Sequence, residues 1–346
     1  MKLTLSQNLR SKYFELLNEV FDSGFWSEGQ KLQSFEDEFS RFTNIPSLAV
    51  SSGGTALYAI LKYLNLQDKE VIVPANTFWA TITAIKHAGG IPVYADCSRK
   101  DLCIPLSEIK RLISRKTKAI VVVHIGGHIA FEIEEIASYC KKKGIFLVED
   151  CAHAHGATFN EKSAGSFGVA GAYSFYSTKT MPLGEGGMIC SNDKDLLKWV
   201  KAFRNYGKEP TDNGYKFIIK NGFNLRMNEF TAALGLIQTR ELPHILKWKR
   251  ELASKFDQIF KNRIQFPKGM ESGYYKYIVF DYKLTEKTGQ VYSKKDLASE
   301  IEPQKDAILP NSYKIATHHQ CTPIYYGWEG ASLSIDQIKS RLLANA

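Results

Sequence analysis

KAIVVVHI, residues 118–125, is an almost unbroken run of apolar residues, and it decides how the rest of the chain is interpreted. A strand of this kind has apolar side chains on both faces, which indicates a sheet covered by helices on both sides. Similar β-branched runs occur before and after it. We predict strands at residues 70–75, 91–97, 118–125, 145–151, 170–176 and 186–192.

Helical stretches lie between these strands. TALYAILKYLN (55–65) and EIEEIASYCKKKG (132–144) are predicted helices, and the second ends in a basic turn followed by Gly144. Strands that alternate with helices predict an α/β fold, with a mostly parallel sheet and right-handed crossover connections.

The alternation of short strands and helices ends near residue 240. From about Met227 a long helical pattern follows, with a predicted break near Pro243. Beyond it come YYKYIVFDYKL (274–284) and a less regular segment that contains tyrosine and proline. We therefore predict a large domain at residues 1–240 and a smaller C-terminal α+β domain at residues 241–346.

Composition limits the classes of partner. The formal net charge of +9 suits phosphate or carboxylate ligands, but no dense basic block is present, so we expect no nucleic-acid partner. The six cysteines show no CxxC pair and indicate reduced thiols in a cytoplasmic protein. The start, MKLTLSQNLR, has no apolar signal region, and no apolar run reaches membrane-spanning length, so we expect no membrane partner.

Several common ligand motifs are missing from the sequence. There is no GxGxxG after the first strand, no GxxxxGK[ST], no HExxH and no zinc-type spacing of Cys and His. His124 and His128 are four residues apart, but they follow a strand and flank Gly126 and Gly127, so a loop is expected there. We predict that the protein uses no metal.

EDCAHAHGATF, which begins at Glu149, places two acids, a cysteine and two histidines where a predicted strand ends. In open α/β sheets, ligands bind at the carboxyl ends of strands. Asp150 is therefore either a helix cap or a ligand contact.

Three more stretches each allow two interpretations. SSGGTAL (51–57) precedes a helix, where it either caps the helix or offers free N–H groups to a phosphate. PANTFWAT (74–81) places Phe78 and Trp79 beyond a strand end, either in the core or against the ring of a ligand. SFYSTKTMPLGEGG (174–187) places Lys179 after a strand, although a lone loop lysine is usually solvated.

The four stretches fit one cofactor when they are taken together. An acid, a lysine, a phosphate cradle and an aromatic ring are what pyridoxal 5′-phosphate (PLP) needs. The lysine forms the Schiff base, and the acid keeps the pyridine nitrogen protonated so that the ring can accept electrons.

A series of motifs resembles the DegT/DnrJ family of sugar aminotransferases between residues 24 and 250. In order, these motifs are SGGTAL, PANTFWAT, GGIPVYAD, TKAIVVVHIGG, VEDCAHAHGA, GSFGVAGAYSFYSTK, GEGG, RNYGK and GFNLRMNEFTAALGLIQ. The resemblance implies the PLP-dependent fold type I of aspartate aminotransferase, with a mostly parallel seven-stranded sheet flanked by helices and a smaller C-terminal α+β domain. It also implies a homodimer with shared active sites.

The resemblance assigns roles to individual residues. Lys179 matches the Schiff-base lysine of the family, and Asp150 matches the carboxylate at the pyridine nitrogen. His153 stands where the family has a side chain beside the phenolic oxygen of the cofactor, and Phe78 where an aromatic residue stacks on the ring. The remaining matches are phosphate contacts: Gly54, Thr55, Ser174 and, from the second subunit, Asn224.

Other residues of these motifs receive weaker assignments. Glu185 in GEGG is typical of the family and could hold the lysine loop or the substrate. Cys151 and His155 are expected to be structural. An anionic substrate would need basic side chains at the dimer cleft, and Arg226 and Lys208 are the first candidates, although each is also explained as a structural or solvated residue.

The activity implied is transfer of an amino group from glutamate or glutamine to a keto-sugar, commonly nucleotide-linked, in amino-sugar biosynthesis for a surface polysaccharide or a secondary metabolite. One alternative acceptor is a free acidic keto-sugar. Another alternative is a lyase or aldolase reaction on amino acids. Lys179 argues against the dehydratase branch of the family, which has histidine there. The intact set of lysine, acid and phosphate contacts argues against a non-catalytic PLP-binding or regulatory protein.

Overall fold

The strands of the chain are mostly short. The computed structural model describes residues 5–343. In that range the strands are β1 (Ser47–Val50), β2 (Glu70–Pro74), β3 (Ile91–Ala95), β4 (Thr117–Val123), β5 (Phe146–Asp150), β6 (Thr158–Phe159), β7 (Lys162–Ser163), β8 (Ala170–Ser174), β9 (Gly187–Cys190), β10 (Lys208–Thr211), β11 (Gly214–Phe217), β12 (Met270–Glu271), β13 (Tyr277–Phe280) and β14 (His319–Thr322).

Helices lie between most of these strands. They are α1 (Gln7–Ser23), α2 (Gln30–Thr43), α3 (Gly53–Tyr63), α4 (Trp79–His87), α5 (Leu106–Leu112), α6 (Ile133–Lys143), α7 (Lys194–Phe203), α8 (Glu229–Ile259), α9 (Ala298–Ile301), α10 (Pro310–His318) and α11 (Ile335–Leu342). None of the helices in residues 5–343 is both long and apolar enough to cross a lipid bilayer.

Seven strands form the main sheet, in the order β1-β9-β8-β5-β4-β2-β3. Only β9 runs against its neighbours, so the prediction of a mostly parallel seven-stranded sheet is confirmed. Each predicted strand overlaps an observed one. β1 was not predicted.

Burial explains the apolar strands of this sheet. Almost every residue of β4 is buried, as a strand covered on both faces requires. α3 packs on β8 and β9, and α6 packs on β5. α6 ends where predicted, because Gly144 adopts the left-handed conformation (φ 65°) that glycine tolerates at helix ends.

The predicted helix break near Pro243 is wrong. α8 continues from Glu229 to Ile259 with Pro243 inside it. A proline inside a helix costs about 3 kcal/mol. The buried residues Leu242, Ile245 and Leu246 beside it supply apolar packing that offsets this cost.

α8 contributes to two apolar clusters. Leu236 and Leu246 pack in the cluster that contains the main sheet, whereas Leu252 and Phe256 pack in a smaller cluster with residues 277–342. The smaller cluster agrees with a second, C-terminal core. The boundary at residue 240 stays a prediction, and the helix crosses it without interruption.

Part of the segment after α8, here called the tail (residues 260–343), packs against the main sheet. The carboxylate of Asp96, which follows β3, accepts hydrogen bonds from the backbone N–H groups of Asn311 (2.9 Å) and Ser312 (2.7 Å) at the start of α10. The side-chain amide of Gln304 bonds the edge strand β3 at the N–H of Tyr94 (3.1 Å) and the carbonyl of Pro92 (2.6 Å). The residues after α8 therefore also cover one edge of the sheet.

Candidate active site

Asp150 and Lys179 follow the carboxyl ends of two paired strands. Asp150 is the last residue of β5 and is in register with Ala172 of the neighbouring β8. β8 ends at Ser174, and the loop after it contains Lys179. The sheet thus brings the predicted acid and the predicted lysine to one edge, where ligands of such sheets bind.

The carboxylate of Asp150 is buried and does not cap a helix. It accepts hydrogen bonds from Thr81 Oγ1 (2.9 Å) and from the backbone N–H of Ala152 (3.1 Å). Burial raises the pKa of the Asp150 carboxyl, whereas these two hydrogen bonds and the charge of Lys179 lower it. Asp150 is therefore not a helix cap, and its contact with a ligand stays a prediction.

The side chain of Lys179 is enclosed by its surroundings. Its Nζ lies 5.1 Å from the centroid of the Tyr275 ring. Burial lowers the pKa of Lys179 to about 8; the carboxylate of Asp150 opposes this shift, and the charge of Lys276 adds to it. A larger neutral fraction of the amine follows, and a nucleophilic lysine needs that neutral form.

The first turn of α3 lies against the end of β8. A Cβ on Gly53 would be 2.6 Å from Cβ of Ser174, so only glycine allows this approach. The hydroxyls of Ser52 and Thr55 form a capping box, and the N–H groups of Gly53 and Gly54 are in the first turn, where no helical acceptor exists. SSGGTAL can therefore cap α3 and also offer the N–H groups of its first turn to a phosphate.

The two aromatic residues of PANTFWAT have different surroundings. Phe78 directly precedes α4, and 78% of its surface is exposed. Trp79 is partly buried against the main core. Of the two rings, Phe78 is the one free to contact a ligand.

His153 lies beside a residue from the tail. Its imidazole is stacked on the ring of Tyr275, with centroids 4.1 Å apart. Its Nδ1 is buried and has no hydrogen-bond partner in the described part of the chain. Burial, followed by the charges of Lys179 and Lys276, holds the pKa of His153 well below its usual value, so the ring is neutral.

Asn224 lies near the segment SSGGTAL of its own chain, because the carbonyl of the next residue, Leu225, accepts a hydrogen bond from the N–H of Ser51 (2.9 Å). It is exposed, and its side-chain oxygen accepts a hydrogen bond from the N–H of Arg226 (3.4 Å). Arg226 itself donates to the side-chain oxygen of Asn205 (2.6 Å), and Lys208 lies 4.2 Å from the ring centroid of Tyr215. Glu185 is exposed.

Glu149 and His124 stabilise the backbone around the site. The carboxylate of Glu149 accepts hydrogen bonds from His124 Nε2 (2.9 Å) and from the N–H groups of Gly165, Phe167 and Gly168 (2.7 Å each), which fixes the loop before β8. His128 Nε2 lies 2.9 Å from the carbonyl of Asp101. Cys151 and His155 are fully buried.

The sequence motifs missed three residues of the site, namely Lys249, Tyr275 and Lys276. The segment with Tyr275 enters because Gly127 has no side chain: a Cβ there would lie 2.4 Å from the backbone N of Tyr275. Lys249 Nζ donates to the carbonyl of Tyr274 (2.9 Å). The only signal for Tyr275 was the strand pattern YYKYIVF, which carries no information about the site.

A cavity of about 460 Å³ opens beside Lys179. The three lysines Lys179, Lys249 and Lys276 contribute to its lining, together with Tyr275 and Tyr326. A small organic molecule can therefore reach the amine of Lys179.

Comparison with known proteins adds independent evidence. The family model of the DegT/DnrJ/EryC1/StrS aminotransferase family matches residues 7–326, a wider span than the motifs at residues 24–250. A GDP-perosamine synthase of Escherichia coli O157:H7 is 31% identical over 337 residues, which cover 94% of this chain and 91% of that protein. A GDP-perosamine synthase of Vibrio cholerae is 35% identical over 240 residues, covering 68% and 65% of the two chains.

A solved structure shows the same fold. The PLP form of a protein described as a sugar aminotransferase, from Streptococcus pneumoniae, superposes with a TM-score of 0.84 at 22% identity, and the match covers 98% of this chain and 96% of that one. The predicted fold type I architecture is confirmed. The chain belongs to the DegT/DnrJ/EryC1/StrS aminotransferase family.

Proposed function

We propose that this aminotransferase uses PLP to move an amino group from glutamate or glutamine to a nucleotide-linked keto-sugar. The observation that carries the proposal is the placement of Asp150 and Lys179 at the ends of the paired strands β5 and β8. The relatives are described as synthases of a GDP-linked amino sugar and as transaminases of UDP- and dTDP-linked sugars, which supports a nucleotide-linked acceptor.

The residues present fit PLP. His153 offers a buried Nδ1 without a partner, which suits a contact with the phenolic oxygen. Asp150 offers a buried carboxylate for the ring nitrogen, and the first turn of α3 beside Ser174 offers N–H groups for the phosphate. Phe78 offers an exposed ring for stacking.

When bound, PLP supplies an electron sink and carries the amino group between donor and acceptor. The chain's own residues supply the remaining functions. Asp150 favours a proton on the ring nitrogen through a charge-assisted pair. Lys179, with its pKa lowered to about 8, can accept and return a proton at its Nζ near neutral pH.

A homodimer is part of the proposal. Asn224 is exposed, and the resemblance to the family implies that it reaches the phosphate of the second subunit. The exposed side chains of Phe21, Phe25 and Trp26 form an aromatic surface on the same chain, which a second copy could cover. The shared site would need both copies for its phosphate contacts.

The first experiment tests the cofactor and the donor. Purified protein is expected to bind PLP, to be bleached by borohydride with the cofactor fixed to Lys179, and to convert glutamate to 2-oxoglutarate. Lys179→Ala should lose both the fixation and the conversion, whereas Lys162→Ala, which changes an exposed lysine, should keep them. Full activity of Lys179→Ala would refute the proposal, and cleavage products in place of 2-oxoglutarate would indicate a lyase.

The second experiment tests the shared site. Inactive Lys179→Ala and Asn224→Ala proteins are mixed, dissociated and reassociated. If Asn224 acts across the interface, each mixed dimer contains one complete site, so activity returns. If both residues act within one chain, no site is complete and the mixture stays inactive, which would contradict the shared site.

The third experiment identifies the acceptor. The protein is first loaded with the amino group from glutamate, and a panel of nucleotide-linked keto-hexoses, free acidic keto-sugars and simple 2-oxo acids is then tested for uptake of that group. Rapid uptake by 2-oxo acids together with none by any keto-sugar would overturn the sugar assignment.

A further inference from the structure

The cavity beside Lys179 has an excess of positive charge. Among its described lining residues are three lysines but only one carboxylate, that of Glu241. A partly enclosed space with charges of one sign concentrates ions of the other sign. The cavity is therefore suited to an anion.

Lys276 is the best placed of these cations. Its Nζ donates to the carbonyl of Thr288 (3.0 Å), and no carboxylate forms an ion pair with it in residues 5–343. An ammonium group has three donors, so this one contact leaves Lys276 able to bind an anion. Its Nζ lies 5.5 Å from the Tyr275 ring centroid, and Lys179 Nζ lies 5.1 Å from the same point.

We infer that Lys276 binds a carboxylate of the amino donor. This inference rests on the proposed function, because it assigns the anion of a substrate of that same site. Lys276 stands next to Tyr275 in the segment that the glycines of the loop after β4 hold in place, so its position is fixed by the fold. The backbone N–H of Lys276 donates to the carbonyl of Gly126 (2.9 Å).

The position of Lys276 close to Lys179 favours binding of the carboxylate of the amino donor over binding of the diphosphate of the acceptor. In an amino acid, a carboxylate is attached to the carbon that carries the amine, so an amine that replaces Lys179 brings its carboxylate beside Lys179. In a nucleotide-linked keto-sugar, the sugar ring separates the reacting carbonyl from the diphosphate, which places that anion farther away. Lys276, close to the same ring as Lys179, suits the first arrangement.

The test measures binding to the cofactor-free protein by calorimetry, with 2-oxoglutarate as the carboxylate probe and UDP as the phosphate probe. We expect Lys276→Met to weaken the affinity for 2-oxoglutarate at least tenfold and Lys276→Arg to change that affinity less than threefold. The affinity for UDP should be unchanged in both variants. Lys276→Gln serves as a second neutral variant, and circular dichroism checks that each protein is folded.

Lys255→Met is the matched control. Lys255 is also half-buried, and its Nζ donates only to backbone carbonyls, those of Ala331 (2.8 Å) and Leu333 (3.2 Å), away from the cavity. This variant should bind 2-oxoglutarate as the wild-type protein does.

Three results would overturn the inference: unchanged 2-oxoglutarate affinity in the neutral variants, loss of UDP affinity in place of 2-oxoglutarate affinity, or no binding of 2-oxoglutarate to the wild-type protein. None of these results depends on the cofactor. If wild-type holoenzyme converts neither glutamate nor glutamine, the proposed function fails; if it converts either one while Lys276→Met and Lys276→Gln keep normal 2-oxoglutarate affinity, only the carboxylate site fails.

Discussion

The ring of Tyr275 lies parallel to the imidazole of His153, with centroids 4.1 Å apart and an interplanar angle of 15°. His153 follows β5, whereas Tyr275 lies in the segment after α8, so the stack joins the tail of the chain to the strand end that carries Asp150. The hydroxyl of Tyr275 lies 3.4 Å from that of Thr178, the residue before Lys179. One side chain of the tail thus contacts both halves of the predicted cofactor site.

Replacing Tyr275 by leucine should reduce amino transfer about tenfold or more, because His153 loses the ring that holds it. Aromatic pairs contribute about 0.5–1.5 kcal/mol beyond their buried area. Tyr275→Phe keeps the stack and loses only the contact with Thr178, so it should stay within about threefold of wild type. Steady-state kinetics with glutamate compares the two, and equal losses in both would show that the hydroxyl matters more than the stack.

Replacing Thr81 by valine should move the acid limb of the pH–rate profile to higher pH. Thr81 Oγ1 donates to Asp150 (2.9 Å) and so helps to lower the pKa of that carboxyl, which burial raises. Without this donor the pKa rises further, so Asp150 becomes ionised only at higher pH. Thr83→Val is the control, because Thr83 Oγ1 on the same helix donates to the carbonyl of Trp79 (2.8 Å). Identical profiles for the two variants would contradict the role given to Thr81.

Gly127→Ala should lower activity, whereas Gly144→Ala should not. Both glycines have positive φ, 108° and 65°, so alanine is strained at either position, by about 1–2 kcal/mol in the left-handed conformation of Gly144. Only at Gly127 would the added Cβ meet the tail, 2.4 Å from the backbone N of Tyr275, whereas a Cβ on Gly144 would have nothing within 4 Å. Kinetics and thermal unfolding of both variants separate displacement of the tail from strain alone; equal activities would refute the displacement.

Glu149→Gln should destabilise the fold by about 3 kcal/mol or more. The buried carboxylate accepts from three backbone N–H groups and from His124, and an amide cannot accept all four bonds, so buried donors lose their partners. Urea unfolding measures the change. Glu135→Gln, at an exposed position of α6, should leave the free energy of unfolding within about 0.5 kcal/mol. A similarly small change in Glu149→Gln would disprove the anchoring role.

Lys249 should make stability depend on pH. Burial, aided by the charge of Lys276, lowers the pKa of Lys249 from 10.5 to about 7. Between these values the unfolded chain binds a proton that the folded chain does not, so the contribution of Lys249 to stability rises with pH in this window. The free energy of unfolding of wild type minus that of Lys249→Met should therefore increase from pH 7 to about pH 10. A flat difference, measured in urea at several pH values, would show that Lys249 stays protonated in the folded protein.

Much of the sheet and the central pair of residues could be predicted from sequence, because their signals are local. β4 and β5 are apolar runs with polar residues at their ends; Asp150 is the last residue of β5, and Lys179 lies in the loop after β8. The end of α6 at Gly144 follows from the conformational freedom of a single residue. Such features depend on neighbours in the sequence.

The features that were missed depend on contacts between distant parts of the chain. Local preference disfavours Pro243 within a helix, and only the packing of its buried neighbours explains why α8 continues. Lys276 gains its place beside Lys179 from a loop about 150 residues earlier, where Gly126 and Gly127 accept the tail. No pattern within YYKYIVF reports that contact.

The unbroken course of α8 has a consequence for motion during turnover. α8 is a continuous helix of 31 residues that packs in both apolar clusters, so it connects the two cores rigidly. It provides no hinge between them. Hinge closure concentrates its rotation in a few residues of loops or element ends, and the interior of α8 supplies none. We therefore expect a substrate beside Lys179 to be enclosed by side chains and loops that line the cavity, such as Tyr326 and Gly327, and not by rotation of one core against the other.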